Sequence, residues 1–200
     1  MKKVLVDIGS NVGDTIRLLK KKSGPFDAIY AFEPNPYHSA LYDDCPDVLL
    51  STSAMWTYNG KVKFNIYNDP HMACSGLYKR TNMEAEEIEV ECLDFSEWLK
   101  NNLDPDDYIV LKMDVEGAEF KILKHAINNG GLENVNELYV EHHKRGVGYV
   151  AGRATGDGTG KTGNILRDEL WEVRWTHNAL RRMNFDKLFF GKTDLKKVFL

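Results

Sequence analysis

The sequence predicts an α/β domain built on a doubly wound, mostly parallel sheet that spans residues 1–200. Three observations support this fold class. Short apolar runs each end at an acidic residue, namely Asp7, Glu33 and Asp114. Amphipathic helical stripes separate the first runs in a β-α-β-α-β order. The runs are continuously apolar, which is typical of strands buried on both faces of a parallel sheet.

The first half of the chain is expected to alternate strands and helices. Lysines in the last turn of the first helix suit the helix dipole, and Gly24-Pro25 ends that helix. The predicted elements are a strand at 4–6, a helix at 14–22, a strand at 28–32, a helix at 36–44 and a strand at 48–53.

The second half begins with two segments of period-two alternation, which predict an antiparallel excursion around a loop at 68–86. The parallel pattern then resumes, and we expect an antiparallel hairpin at the C-terminus. The predicted elements are strands at 61–67 and 87–93, a capped helix at 94–101, a strand at 108–113, a helix at 116–128, a strand at 138–140, a Gly-rich loop at 146–163, a helix at 164–183 and hairpin strands at 187–190 and 197–200.

Composition excludes several classes of protein. Hydrophobic residues make up 42% and charged residues 28% of the 200 residues, and the net charge is -4. No large basic field is available for a nucleic-acid backbone, so a nucleic-acid partner is disfavoured. No apolar run approaches the roughly 20 residues of a membrane span. Three cysteines without a CxxC spacing favour a reducing cytoplasm.

The turn after the first strand, DIGSNVGD, predicts the kind of cofactor. Gly9 and Gly13 allow a tight turn and close approach of a ligand. Asn11 stands where a dinucleotide fingerprint has its middle glycine, and Asp14 stands where a pyrophosphate would bind. Acidic side chains repel phosphate and attract a cation. The charge pattern therefore favours S-adenosylmethionine, which carries an ammonium and a sulfonium.

Glu33 ends the second strand, 20 residues after Gly13. A carboxylate at this point can accept hydrogen bonds from both ribose hydroxyls of a nucleoside cofactor. This role is common to S-adenosylmethionine and dinucleotide folds, so it does not separate the two cofactors.

The motifs VDIGSNVGDT, AFEPNP, CSGLY and LKMDVEGAEFKIL resemble, in order and spacing, the FkbM family of methyltransferases, from about residue 4 to about residue 141. The resemblance implies a class I methyltransferase fold, Rossmann-like, that transfers a methyl group from S-adenosylmethionine to an oxygen, often a sugar or natural-product hydroxyl. The cofactor-binding residues that we infer are Asp7, Gly9, Ser10, Asn11, Gly13 and Asp14 near the methionine end, Glu33 on the ribose, Pro34 and Asn35 shaping the turn beside it, and Ser53 and Ala54 near the adenine.

This chain departs from the family pattern because its first strand begins almost at residue 1, without a leading helical segment. A lid over the cofactor is therefore expected to be missing, or to come from the 146–163 loop or from another subunit of an oligomer.

Catalytic candidates cluster at the ends of the fourth and fifth strands. Asp114 and Glu116 should face the cofactor. Lys112 shares a sheet face with Asp114, and it is either a structural ion pair or a base with a depressed pKa. Among the histidines that end the fifth strand we favour His142 as general base, with its neighbour His143 packed or solvated.

A metal is a second way to activate a hydroxyl. Asp114, Glu141 and His142 are the predicted ligands, and oxygen-rich ligation suits Mg²⁺ or Mn²⁺. Glu119 is expected to make a local pair on a helix face instead.

Two sequence features carry no site. The segment GDGTGKTG at 156–163 has the wrong spacing for a phosphate-binding loop, because the required first glycine falls at Thr155. Trp171 and Trp175, four residues apart on a predicted helix, are typical of core packing.

Three alternatives remain open at this point: an NAD-dependent oxidoreductase, a fold that binds a ligand without catalysis, and an RNA ribose 2'-O-methyltransferase. The acceptor is expected to be a small molecule or a glycan, and no residue identifies which hydroxyl is methylated.

Overall fold

The computed structural model describes residues 1–43, 45–68, 72–80, 83–143, 176, 178–183 and 185–191. Their elements are β1 (Lys3–Ile8), α1 (Asp14–Ser23), β2 (Ala28–Phe32), a 3₁₀ helix (Pro36–Tyr42), β3 (Val48–Ser51), β4 (Ala54–Trp56), β5 (Gly60–Tyr67), β6 (Ala85–Asp94), α2 (Phe95–Asn102), β7 (Tyr108–Met113), α3 (Glu119–Asn128), β8 (Val135–Glu141) and β9 (Lys187–Gly191).

The main sheet has six strands in the order β3-β2-β1-β7-β8-β9, and every neighbouring pair is parallel. The predicted α/β fold with a parallel sheet is therefore confirmed. The strand order reverses direction between β1 and β7. In open sheets of this kind, ligands bind beyond the carboxyl ends of the strands at that switch point.

Alternation along β1 divides the core into two layers. Val4, Val6 and Ile8 pack on the side of α2 and α3, whereas Leu5 packs with Ile16 of α1. Both faces of β1 are thus covered, which explains its continuously apolar sequence.

The middle of the chain forms a second sheet of three strands in the order β4-β6-β5. β5 and β6 are antiparallel from Gly60 to Tyr67, as the alternation predicted. The predicted third strand, 48–53, is shorter in the structure, because β3 ends at Ser51 and β4 starts a different sheet, where it runs parallel to β6. The chain crosses between sheets at this point, and period-two alternation does not signal such a crossing.

One helix differs from the prediction in type, and the predicted cap of another is present. Residues 36–42 form a 3₁₀ helix, capped by the side chain of Asn35, which accepts from the Tyr37 N–H. The predicted cap of the helix after β6 is confirmed, since Asp94 accepts from the Glu97 N–H.

At the C-terminus β9 pairs directly with β8, in parallel. The second strand of the predicted hairpin, Lys197–Leu200, lies outside the described residues, as do the 146–163 loop and both Trp171 and Trp175. Within the predicted helix at 164–183, residues 176 and 178–180 are helical in the structure. Among the described residues, no helix is long and apolar enough to cross a membrane.

Candidate active site

The turns after β1 and β7 meet at the switch point of the sheet. Gly9 has a φ of +73°, and a Cβ atom there would lie 1.8 Å from the Asp114 carbonyl oxygen. The Asp114 N–H in turn donates to the Ile8 carbonyl at 2.9 Å. Glycine is therefore required at this position both by backbone conformation and by the approach of the neighbouring turn.

The backbone N–H groups of the turn after β1 donate hydrogen bonds to acceptors within the protein. Gly9 and Ser10 both donate to the Phe32 carbonyl, at 2.9 and 3.2 Å, and the Gly13 N–H donates to the Ser10 carbonyl at 2.9 Å. The Asn11 N–H donates to Glu33 Oε2 at 2.8 Å. A pyrophosphate-binding turn needs such N–H groups free to face the anion. Four of them are already satisfied within the protein.

Glu33 lies at the wall of a cavity, where the sequence predicted a ribose contact. Its Oε1 accepts from the Asn35 N–H at 2.9 Å, so each carboxylate oxygen holds one backbone donor and keeps acceptor capacity. Burial raises the pKa of Glu33 to about 7. The contact with a ribose stays a prediction, and so does the role of Asn35 beside the cofactor.

An apolar cavity opens between the two sheets. Its walls come from β1, β2, β4 and β5 and from the segment after β5; they comprise Ile8, Gly9, Asn11, Phe32, Glu33, Pro34, His38, Ala54, Met55, Phe64, Met72, Ala73, Ser75, Gly76, Leu77, Asp114, Val115 and Glu116. Ala54 lines this cavity, and its contact with an adenine stays a prediction. Ser53 is not among these residues, and its N–H donates to Ser51 Oγ at 3.2 Å.

An acidic cavity adjoins the apolar one and shares Gly9, Asn11, Ala73, Asp114 and Glu116 with it. The rest of its lining is Ser10, Val12, Asp14, Thr15, Lys112 and Glu141. Four carboxylates therefore face this cavity, against one lysine. Its field attracts a cation and repels a phosphate.

Lys112 lies in register with Asp7 on the neighbouring strand. Its Nζ is 2.9 Å from Asp7 Oδ1 and donates to the Gly9 carbonyl at 2.7 Å. Burial lowers the pKa of Lys112, but the Asp7 and Asp114 carboxylates outweigh it and the pKa is raised. The geometry therefore favours the structural ion pair over a base with a depressed pKa. Asp7 itself is fully buried and is not among the residues that line either cavity.

The histidine that joins the acidic side chains is His143, not His142. His142 is buried and packs against Phe120, with ring centroids 5.6 Å apart. His143 places Nδ1 2.9 Å from Glu119 Oε1 and Nε2 3.6 Å from both Glu116 and Glu141. The two rings lie on opposite sides, as alternation predicted, but His143 rather than the favoured His142 lies among the acidic side chains. A general-base role for either histidine stays a prediction.

The carboxylates around His143 perturb its charge state and their own. Burial lowers the pKa of His143, but Glu119, Glu116 and Asp114 outweigh it and raise the pKa to about 9. Burial raises the pKa of Glu116 to about 7, and Arg80 Nη2 lies 2.6 Å from its Oε2. Glu116 is thus a carboxyl that titrates near neutral pH on the wall shared by both cavities.

The structure brings together a different set of possible metal ligands from the predicted one. Asp114, Glu119 and His143 offer ligand atoms that all lie within 4.8 Å of one another. His142 is turned away toward Phe120, and Glu119 is fully buried rather than a helix-face residue.

Sequence reasoning did not assign four of the side chains to the site. His38 is buried in the apolar cavity, with Nδ1 3.9 Å from Glu33 Oε1. The Tyr42 hydroxyl lies 2.7 Å from Ser10 Oγ and braces the β1 turn. Arg80 and Glu119 were missed because their partners are 36 and 24 residues away, and no local pattern encodes such a contact.

Comparison with known proteins gives three findings. The model of the Methyltransferase FkbM domain matches residues 7–151. No curated protein matches the chain. Among solved structures, a methyltransferase FkbM from Methylobacillus flagellatus is similar, at 15% identity and a TM-score of 0.46 over 76% of this chain.

The present chain spans 36% of the length of that structure. The family model, by contrast, covers well over half of the present chain and includes the turns after β1, β2 and β7 that build the two cavities. The chain belongs to the FkbM family of methyltransferases.

Proposed function

We propose that this protein transfers the methyl group of S-adenosylmethionine to a hydroxyl, and that the acceptor is a sugar or glycan. The single observation that carries the choice of donor is the acidic cavity that adjoins the apolar one. Four carboxylates there attract a sulfonium and an ammonium, and the neighbouring backbone donors are already satisfied, which disfavours a pyrophosphate.

The donor's adenosine suits the apolar cavity. Glu33 accepts from the ribose hydroxyls, while Ala54, Met55 and Phe64 offer apolar surface to the adenine. His38 and Met72 extend this wall. The methionine end then reaches the acidic cavity past Gly9, whose lack of a side chain keeps the passage open.

The reacting methyl group belongs at the junction of the two cavities, where Asp114 and Glu116 line both. The acceptor oxygen attacks the methyl carbon in line with the carbon–sulfur bond, which breaks and leaves a neutral thioether. The hydroxyl proton passes to the Glu116 carboxylate. A base whose pKa is about 7 matches that task at neutral pH, and Arg80 holds its other oxygen at 2.6 Å.

The acceptor class rests on hydrogen-bonding capacity. The carboxylates of the acidic cavity are acceptors, and the vicinal hydroxyls of a sugar are matching donors. The same carboxylates repel the phosphates of RNA, which disfavours the ribose 2'-O-methylation alternative.

The test is a mass-spectrometric screen of the protein with S-adenosylmethionine and a panel of oligosaccharides, with and without divalent metal. We expect acceptors to gain the mass of one methylene group, and we expect Glu116→Gln to slow turnover about 100-fold or more. Calorimetry that detects no binding of S-adenosylmethionine or of its demethylated product, while a pyridine dinucleotide binds, would overturn the proposal.

A further inference from the structure

Among the described residues, carboxylates outnumber cations around His143, even when the imidazole itself is counted as a cation. Four carboxylates lie within 3.9 Å of the imidazole, from Asp114, Glu116, Glu119 and Glu141. Arg80 pairs with Glu116, and Lys112 lies closer to Asp7, at 2.9 Å, than to Asp114, at 3.9 Å. Like charges at this density cost free energy unless another cation joins them.

Glu119 gives an independent indication of a ligand. Its side chain is fully buried, and its Oε1 accepts from the Gly117 N–H at 3.1 Å and lies 2.9 Å from His143 Nδ1. The other oxygen of the same carboxylate, Oε2, is buried without a hydrogen-bond partner among the described residues. Buried carboxylate oxygens are normally satisfied, so a missing partner at this point requires an explanation.

The spacing of these atoms fits ligands around one ion. Two ligand atoms bound at right angles, about 2.1 Å from a metal, are about 3.0 Å apart. His143 Nδ1 and Glu119 Oε1 are 2.9 Å apart, and Nδ1 is 3.9 Å from Asp114 Oδ1. The carboxylate of Glu119 is held in place by backbone donors, as the ligands of metal sites generally are.

We propose that Asp114, Glu119 and His143 bind one divalent cation, with Mn²⁺ as the best match to two carboxylates and one imidazole. The cation lies at the edge of the acidic cavity, because Asp114 lines that cavity. It holds an acceptor hydroxyl next to the Glu116 carboxylate and makes that hydroxyl more acidic. The role of the cation in catalysis rests on the proposed methyl transfer to a hydroxyl, whereas the test of cation binding does not.

Binding of Mn²⁺ is measured directly, by the loss of the free-ion electron paramagnetic resonance signal and by calorimetry on the full chain. We expect saturation at one ion per chain. Glu119→Gln and His143→Gln should each raise the Kd by about 10-fold or more. The Glu119→Gln variant keeps a side-chain oxygen for the Val115 and Gly117 N–H groups, and circular dichroism without metal checks that both variants are folded.

Two matched variants separate this ligand set from its rivals. His142→Gln changes a neighbouring histidine that packs on Phe120, and Glu141→Gln changes a carboxylate of the same cavity. We expect either to change the Kd less than about 3-fold. Absence of saturable Mn²⁺ binding would overturn the inference, and so would loss of binding in these two variants with none in Glu119→Gln and His143→Gln.

The donor is titrated in parallel, so that the two proposals fail separately. Normal binding of S-adenosylmethionine without Mn²⁺ binding removes the metal and leaves the proposed function standing. Mn²⁺ binding that follows the expected variants, without donor binding, removes the proposed function and leaves the metal site standing.

Discussion

Donor affinity should depend on pH through Glu33. Burial raises the pKa of this carboxyl to about 7 in the free protein, so it is largely protonated at pH 6 and ionised at pH 8. Ribose hydroxyls bind the ionised form better, because a carboxylate accepts stronger hydrogen bonds than a carboxylic acid. The affinity therefore rises with pH as Glu33 loses its proton.

The size of the effect follows from the pKa. If only the ionised form binds, the apparent Kd is the intrinsic Kd multiplied by 1 + 10^(pKa − pH), which is about 11-fold at pH 6 and about 1.1-fold at pH 8. We thus expect about 10-fold weaker binding at pH 6. Glu33→Gln should bind the donor more weakly at pH 8, by about 10- to 100-fold, since hydrogen bonds to a charged group contribute about 1.5–3 kcal/mol.

Isothermal titration calorimetry at four or five pH values provides the assay. Protonation of the donor itself affects wild type and Glu33→Gln equally, so the slope that separates them belongs to Glu33. Glu116 also titrates near pH 7, and Glu116→Gln is therefore the matched control that should keep the slope. A slope that persists in Glu33→Gln and vanishes in Glu116→Gln would refute the assignment.

Three further predictions concern the turns around the switch point. Lys112→Met leaves Asp7 buried without its cation and should lower the free energy of unfolding by about 3–5 kcal/mol. Adding Asp7→Asn to this variant should restore at least part of the lost free energy. Urea denaturation of the single and double variants measures the loss and the recovery. Gly9→Ala should destabilise the protein more than Gly60→Ala does in the same assay. Both glycines have positive φ, but a Cβ at Gly60 would meet no atom closer than 3.7 Å. Equal losses of unfolding free energy would show that the Asp114 carbonyl moves aside to make room for the Gly9 Cβ. Asp114→Asn should lower kcat by about 100-fold or more, whereas the donor Kd, measured by calorimetry, should rise less than it does in Glu33→Gln because three carboxylates of the acidic cavity remain; a loss of donor binding with kcat unchanged would contradict a role for Asp114 at the reacting methyl group.

The main sheet was predictable because its signals are local. A strand that is buried on both faces is visible in the sequence as an apolar run. The bounds of β7, Tyr108 and Met113, are those predicted from the sequence. The crossing from β3 to β4 was not predictable, since two residues separate Ser51 from Ala54 and the pairing partners of each strand are chosen by tertiary contacts.

The residues of the site likewise fall into those that local sequence signals predict and those that depend on tertiary contacts. Residues in the turns after strands, such as Gly9 and Glu33, were found because strand ends converge at a switch point. The choice between His142 and His143 depended on which face of β8 meets α3. Alternation predicts that the two side chains lie on opposite faces, but it does not predict which face meets the cavity. Glu119 was assigned to a helix surface because it starts α3 in sequence, yet the end of β8 covers it.

One contiguous stretch of chain, from Ala54 to Asp94, forms the whole of the smaller sheet and supplies one side of the apolar cavity through Ala54, Met55 and Phe64. The six-stranded sheet supplies the opposite side and draws none of its strands from this stretch. Substitutions at the cavity-facing positions of this stretch would therefore reshape one side of the cavity without altering any strand of the six-stranded sheet, provided that Met55 keeps its packing in the shared core.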